Sequence, residues 1–349
     1  MMSAMHSLRL SAIIPNYNHA PFIGRAIEAL LKQSTPPDEI IVVDDASTDN
    51  SIEVINAFIS AKRGNIRLIS LATNGGAIPA LNRGLREARG EYIYFGSADD
   101  VTLPHLFHSM LNLLEAYPSA ALACGETALT YASGKIVGHR PIARPSHTPR
   151  FFSPADTRRL IAHSDHWILT GASVYRRMMI SELGGFNESL ESFADGFVSK
   201  QLALGHGFCF VPDVVAMWRI DPKGYSRTTA ADPNTSRILI SKLREVIKAD
   251  PAFPFGYADL YERRIRFAVC RLAIEATPRN FNLLQILGPS RKFDRLSLTI
   301  IKRVRPSILQ HSVLLFWLTL HFRPTSLLSV LTTHLNRLCK TRNAISSKT

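Results

Sequence analysis

The chain has 349 residues, 46% of them hydrophobic and 20% charged, and a net charge of +13. That balance excludes a disordered or fibrous protein and leaves enough apolar mass for one sizeable core and a second, smaller one. Four cysteines, Cys124, Cys209, Cys270 and Cys339, stand far apart with no Cys-x-x-Cys pair, which excludes a disulfide-stapled fold and suits a reducing compartment.

Met1 to Arg9 is too short and too weakly apolar for a secretory signal, so a cytoplasmic setting is expected. Leu10 to Ile14, Ile40 to Val43, Ile66 to Ile69 and Tyr92 to Phe95 are short β-branched or aromatic runs, and each of the first three leads into a helix-period segment. This spacing predicts βαβ units and a mostly parallel sheet. Ile23, Ala26, Ile27, Leu30 and Leu31 form one apolar stripe, which Pro36-Pro37 stops. Asn50 and Glu53 have capping-box spacing ahead of Ile55, Phe58 and Ile59. Ala80, Leu81, Gly84, Leu85 and Ala88 repeat the stripe after the Asn74-Gly75-Gly76 turn.

In an open parallel sheet, ligands bind beyond the carboxyl ends of the strands. The first strand ends in Pro15-Asn16-Tyr17-Asn18, the second in Asp44-Asp45-Ala46-Ser47-Thr48-Asp49 and the fourth in Ser97-Ala98-Asp99-Asp100. Paired carboxylates at a strand end suit a hard divalent cation and the diphosphate riding on it. Any one such Asp or Ser serves equally well as a helix N-cap. Three polar ends in one register argue for a ligand site.

Taken in order, Ile13-Ile14-Pro15-Asn16-Tyr17-Asn18, Ile41-Val42-Val43-Asp44-Asp45-Ala46-Ser47-Thr48-Asp49, Asn74-Gly75-Gly76 with Asn82, and Ser97-Ala98-Asp99-Asp100 resemble family 2 glycosyltransferases. The resemblance runs over roughly residues 8 to 230. It implies an α/β fold of the nucleotide-diphospho-sugar transferase type called GT-A, with a mostly parallel central sheet. It also implies transfer of a sugar, with inversion, from a nucleotide-diphosphate donor to a hydroxyl on a glycan or lipid-linked acceptor, in polysaccharide or glycolipid synthesis. By that similarity Pro15 and Tyr17 line the base pocket with Asn16 between them, and Asp44 accepts a hydrogen bond from the base. Asp45 serves the ribose side or the turn, and Asn82 and Asp99 lie at the nucleotide. Mn²⁺ or Mg²⁺ is implied on Asp99 with Asp100 beside it.

Two departures matter. The family commonly carries Asp-x-Asp where this chain has Ser97-Ala98-Asp99, so a hydroxyl replaces one carboxylate. Hard cations keep several waters and need one or two carboxylates plus phosphate oxygens, so a site remains, weaker when no nucleotide is bound. The family often has Arg before the Asn that follows the glycine turn, and here Leu81 precedes Asn82.

Thr170-Gly171-Ala172-Ser173-Val174-Tyr175, Leu183-Gly184-Gly185-Phe186-Asn187 and Phe193-Ala194-Asp195-Gly196-Phe197 follow downstream. In the family an acid in this context takes the acceptor proton, and its usual Glu-Asp pair is represented by Ala194-Asp195, making Asp195 the candidate base. An acceptor hydroxyl is a poor nucleophile until a carboxylate within reach removes its proton. The alternative role is capping of the following helix. The base must also stand apart from Asp99, because like charges held close would raise one pKa and weaken either function.

Other patterns carry less. Trp167 and Trp218 suit sugar stacking or a core. The segment from Trp218 to Arg227 mixes Gly, Pro and bases, fitting a loop over the diphosphate or a surface turn. His105 with His108 and His163 with His166 lack a third ligand. Gly171-Ala172-Ser173 lacks the second glycine of a nucleophile elbow. The Gly-rich, Arg-containing loop of a nucleotidyltransferase is absent after the first strand.

Residues 250–349 hold sixteen Lys or Arg against five Asp or Glu, so +11 of the +13 lies there. Domains are therefore expected at 1–230, the transferase, and 231–349, a basic helical region. In the latter Leu309, Val313, Phe316 and Leu320 recur on one face, as do Leu327, Leu331, Leu335 and Leu338 beyond Arg323-Pro324, suggesting a helical hairpin. Ser312 to Phe322 is too short to span a bilayer. With Lys302, Arg303 and Arg305 before it, the segment fits an anchor on an anionic membrane surface, peripheral on the inner face of the cell membrane, and equally well intramolecular packing or a dimer contact. Nucleic acid is not an expected partner, since no aromatic stacking motif accompanies the bases. A non-catalytic nucleotide-sugar-binding or scaffold protein is the alternative that Ser97 favours.

Overall fold

The computed structural model describes residues 9–131, 133–221, 224, 232–276, 292–304, 307–322 and 332–333. The chain divides into two units: residues 1–188 with 194–220 and 327–349, and residues 189–193 with 221–326. The domain boundary expected at 230 falls outside the described residues.

In the first unit, β1 (Leu10–Asn16) pairs parallel with β2 (Glu39–Asp44) on one side and β4 (Tyr92–Phe95) on the other. β2 pairs parallel with β3 (Ile66–Ser70). Parallel neighbours need a crossover, and α1 (Ala20–Leu31), α2 (Ser51–Ser60) and α3 (Ala77–Glu87) supply it. Past β4 the order continues through β9 (Ser173–Arg176), β6 (Leu122–Thr130) and β10 (Phe208–Arg219) to β5 (Val101–Thr102). β7 (Ile136–Arg140) joins β6, and β8 (Arg150–Phe152) joins β10. β9 is antiparallel to both β4 and β6, so the direction is restored across it, and β6 pairs parallel with β10. Six of the ten strands thus run the same way, as the βαβ spacing predicts.

Alternation along β1 assigns the two faces. Leu10, Ala12 and Ile14 pack with Ile23, Ile27 and Leu30 of α1, Ile55 of α2, and Phe107, Met110 and Leu114 of α4 (Leu106–Ala116). Ile13 points the other way, toward α3. Gly84 of α3 sits so near that a Cβ there would lie 2.3 Å from Ile13 Cγ2 and 3.3 Å from Val43 Cγ2. Both faces are covered, which is why the strands read as unbroken apolar runs.

The capping box expected from Asn50 and Glu53 does not form: Asn50 makes no side-chain cap. Asp49 takes the role instead, accepting from Ser51 N at 3.0 Å and, through its other oxygen, from Ala20 N at 2.9 Å. One carboxylate anchors the starts of two helices, where the helix dipoles favour negative charge.

α5 (Pro154–His163), α6 (Arg177–Glu182) and α7 (Ala194–His206) complete the helices of the first unit, and the second unit holds α8 (Pro233–Ala249), α9 (Tyr257–Ala276), α10 (Lys292–Ile301) and α11 (Ser307–Phe322). Ile240, Val269, Cys270, Leu298, Ile301, Leu314, Leu318 and Phe322 form its core. α11 therefore buries the Leu314, Leu318 and Phe322 face. Of the stripe singled out in the sequence, Leu309, Phe316 and Leu320 point outward, 50%, 65% and 53% exposed, while Val313 packs partly against that core. The helical hairpin found is α10 with α11, where Gln310 Nε2 donates to Ile301 O at 3.1 Å and Lys302 O at 3.0 Å. The second arm expected from Leu327 to Leu338 lies outside the described residues.

Gly84→Ala forces a methyl into the contact between α3 and β1. It is expected to lower unfolding free energy by about 1–3 kcal/mol, read from denaturant melts followed by circular dichroism.

Candidate active site

The parallel register sets Asn16 beside Asp44 at the ends of β1 and β2. Asn16 Nδ2 donates to Asp44 Oδ1 at 2.8 Å and to Ser47 Oγ at 3.2 Å. Ser47 closes the loop, its Oγ donating to Asp44 Oδ1 at 2.6 Å and its N to Asp44 Oδ2 at 3.0 Å. That turn needs Ala46 in the left-handed region, φ 60°, a conformation costly for a residue with a Cβ and one that clusters at functional sites. Asp44 is wholly buried, with three of roughly four acceptor positions used. Asn16 is equally enclosed, and its Oδ1 has no hydrogen-bond partner. Pro15 is half-buried, and Tyr17 stands 42% exposed at the rim.

Asp45 is committed to the turn. Its Oδ1 accepts from Gly75 N at 2.9 Å and its Oδ2 from Gly76 N at 2.7 Å, which fixes the start of α3. Gly76 there has φ 93°, open to glycine at little cost. Asn82 is a buried clasp rather than a rim residue. Its Nδ2 donates to Phe186 O at 2.9 Å and Glu188 Oε1 at 3.0 Å, and its Oδ1 accepts from Phe186 N at 2.9 Å.

Sheet register also builds the acidic end of β4. β5 runs antiparallel to β10 with Val101 opposite Met217, so two residues further along Asp99 falls opposite Arg219. Arg219 Nη2 donates to Asp99 Oδ2 at 2.8 Å, and Arg219 N donates to Asp100 Oδ1 at 2.9 Å. The guanidinium also lies 4.1 Å from the ring centre of Phe22, a cation–π contact. Ser97 Oγ donates to Asp99 Oδ1 at 2.5 Å. Both oxygens of Asp99 are thus engaged. Asp100 has its pKa pushed up to about 8 by burial and by the adjacent Asp99 charge, against the bond from Arg219 N and its charge.

Asp195 opens α7 (Ala194–His206). Its Oδ1 accepts from Gly196 N at 2.6 Å and its Oδ2 from Thr170 Oγ1 at 3.2 Å. Burial raises its pKa above the ordinary carboxylate value, against the bond from Gly196 N and the charge of Lys200. Thr170 begins the single turn Thr170–Ala172, which touches both acidic groups. A Cβ built on the next residue, Gly171, would lie 3.8 Å from Asp100 Oδ2, and Gly171 O accepts from Tyr94 OH at 3.1 Å. The turn therefore has Asp195 on one residue and Asp100 on the next. Tyr175 OH and Ser199 Oγ, 2.9 Å apart, brace it from below, with Ser199 Oγ donating to Asp195 O at 2.7 Å.

Trp167 is a core residue, stacked on Phe208 at 4.8 Å, whereas Trp218 is 41% exposed beside Arg219. His166 pairs with Ser164, and His108 with Asn112. Among the described residues no group of three or more His, Cys, Asp or Glu is assembled to hold a metal. Asp99 nonetheless fits a hard cation, because it is a carboxylate whose present partner is already a cation, Arg219. Sequence reasoning missed this pairing and the bridging role of Thr170. A register between β5 and β10 has no local signature, and neither has the bond from Thr170 to Asp195.

Residues 11–184 match the glycosyl transferase family 2, and the chain belongs to that family. It is 34% identical over 155 residues, 43% of this chain and 44% of the relative, to the uncharacterized glycosyltransferase EpsJ of Bacillus subtilis. It is 36% identical over 96 residues, 27% of this chain and 15% of the relative, to the poly(ribitol-phosphate) beta-glucosyltransferase of Bacillus spizizenii. The chain spans less than half the length of such curated relatives. Its fold is GT-A, like that of two solved structures. S. aureus TarS 1-349 in complex with UDP-GlcNAc has a TM-score of 0.57 at 17% identity, over 78% of this chain and 74% of that one. The Pyrobaculum calidifontis mannosyltransferase PcManGT in complex with GDP-Man and Mn²⁺ has a TM-score of 0.54 at 20% identity, over 90% and 88%.

A divalent cation bound at Asp99 would compete with Arg219 for that carboxylate. Arg219→Ala is expected to tighten nucleotide-free Mn²⁺ binding about tenfold, measured by the loss of free-ion electron paramagnetic resonance signal.

Proposed function

We propose that the chain is an inverting, cation-assisted glycosyltransferase that moves a sugar from a nucleotide-diphosphate donor to a hydroxyl of a polysaccharide or glycolipid acceptor. The observation that carries this reading is the Thr170–Ala172 turn, which has the candidate base on one residue and the acidic strand end on the next. Two acids with separate tasks need such an arrangement, near enough to share one sugar and kept apart by backbone.

Asp195 takes the proton of the acceptor hydroxyl as its oxygen bonds to the anomeric carbon. The bond from that carbon to the diphosphate breaks, the diphosphate leaves with the electron pair, and attack from the opposite side inverts the centre. A Mn²⁺ or Mg²⁺ ion held by Asp99, with Asp100 beside it, would neutralise charge on the departing diphosphate. Arg219, once parted from Asp99, is a second cation for the same phosphates. Pro15, Asn16 and Tyr17 receive the base, where the partnerless Asn16 Oδ1 is an acceptor suited to a base N–H. Asp44 and Asp45 shape the floor of that pocket through Ser47, Gly75 and Gly76, and Asn82 holds the segment carrying Glu188 against α3. The PcManGT complex, with its donor and Mn²⁺, supports the cation, and the ribitol-phosphate relative supports a polymeric acceptor. The buried free thiols Cys124, Cys209 and Cys270 agree with a cytoplasmic setting.

One observation favours a non-catalytic nucleotide-sugar binder instead: Ser97 stands where the family commonly has an acid, and it bonds Asp99. Turnover decides between them. A panel of nucleotide-sugar donors, assayed for Mn²⁺-dependent release of nucleoside diphosphate, is expected to yield at least one substrate; binding without release would favour the alternative.

Asp195→Asn is expected to lower kcat by roughly 10²–10⁴-fold while donor affinity is kept. Burial raises the Asp195 pKa, so the charged form is the disfavoured one in the folded protein, and the Asn variant should melt no lower than wild type at neutral pH. For the same reason the acid limb of kcat/KM should fall at a pH above the ordinary carboxylate range, since only the deprotonated base works. Near-normal turnover by Asp195→Asn would overturn the assignment.

A further inference from the structure

The helix α11 is apolar on two opposite sides. Leu314, Leu318 and Phe322 enter the core of the second unit, while Leu309, Phe316 and Leu320 lie on the reverse side, half or more exposed. From Ser307 to Phe322 the helix contains no Lys, Arg, Asp or Glu. Helices apolar all round are ordinarily enclosed, by protein or by lipid. Its neighbour α10 repeats the pattern. Leu298 and Ile301 face the core, and Leu296 and Ile300, 59% and 58% exposed, lie on the outer side. Arg303 follows Leu296 by seven residues and Ile300 by three, which continues that outer row, and both Lys302 and Arg303 at the hairpin corner are exposed. The bonds from Gln310 to Ile301 O and Lys302 O fix the corner.

We propose that the outer face of the α10–α11 hairpin docks on an anionic lipid bilayer. Leu296, Ile300, Leu309, Phe316 and Leu320 enter the boundary between headgroups and acyl chains, and Lys302 and Arg303 meet the lipid phosphates. Charge selects this occupant. Residues 221–326 carry eighteen Lys or Arg against eight Asp or Glu, so a second copy laid on this face would bring like charge against like. A negative lipid surface satisfies the apolar row and the bases together. The helix lies along the surface: 16 residues reach ~24 Å, against ~30 Å for a hydrocarbon core, and no described helix is long and apolar enough to cross a membrane. The inference goes beyond the transferase reading and does not depend on it.

The test is co-sedimentation of the full chain with sucrose-loaded vesicles of phosphatidylcholine alone or with about 30% phosphatidylglycerol, at about 0.1 M salt. Wild type is expected to bind the anionic vesicles at least about tenfold more tightly than the neutral ones. Phe316→Ser with Leu320→Ser, and separately Lys302→Glu with Arg303→Glu, should each weaken that binding about tenfold or more. All four side chains are exposed, so melting temperature and nucleoside diphosphate release should stay at wild-type values. Equal binding to both vesicles, or none, overturns the proposal. So does a wild-type dimer that Phe316→Ser with Leu320→Ser turns into a monomer without any change in vesicle binding. Vesicle binding in a chain that turns over no donor would leave this inference standing and count against the transferase.

Discussion

Everything at the site depends on strands that run the same way and stop together. Six of them deliver their carboxyl ends to one edge. Strand interiors are apolar because both faces are covered, so polar groups collect where the strands end. Desolvation then acts on every acid gathered there. Asp44 and Asp45 meet it with hydrogen bonds from Asn16, Ser47, Gly75 and Gly76, which secure the loop geometry and fix both side chains. Buried carboxylates without such donors would cost far more than the site could bear.

At the other side of the edge the solution is ionic. The short antiparallel ladder of β5 on β10 brings Arg219 opposite Asp99, so the protein carries its own counter-ion for the acid proposed to hold a metal. Removing one partner of such an enclosed pair leaves the other uncompensated, so the pair persists until something replaces it. In the proposed mechanism cation and diphosphate would replace it together, one taking Asp99 and the other Arg219. Ser97 fits this economy: a second acid at that position would have needed a second counter-charge, whereas a hydroxyl donates to Asp99 and needs none.

Much of this was legible in the sequence because it is periodic or local. The four N-terminal strands, their connecting helices and the three polar strand ends follow from spacing alone. Asp45 and the Asn74-Gly75-Gly76 turn were each recognisable, although not the two amide bonds that join them. What escaped reading is what depends on distant register. Arg219 is 120 residues from Asp99, and Thr170 is 25 from Asp195. The same limit explains α11. A period of 3.6 identifies a stripe but gives no side, and in a helix apolar on opposite faces the row Leu309, Val313, Phe316 and Leu320 reads like a core row while Leu314, Leu318 and Phe322 are the residues inside. The capping box at Asn50 failed for a related reason, since Asp49 could serve α1 as well as α2 and a pattern within one helix cannot register the other.

Asp195 shows why the two acidic centres must be held differently. A general base, the role proposed for Asp195, gains from a raised pKa because a carboxylate in its ordinary range is a weak proton acceptor, and burial at the start of α7 acts in that direction. Gly196 N, Thr170 Oγ1 and the charge of Lys200 act against that rise. A further negative charge close by would upset that balance. The Arg219 guanidinium pairs with Asp99, and the turn of Thr170 and Gly171 meets Asp195 on one residue and Asp100 on the next. In the proposed chemistry the ion pair would compensate the metal-binding acid while the candidate base stands across the turn, which would tie the two halves to one register of one short strand.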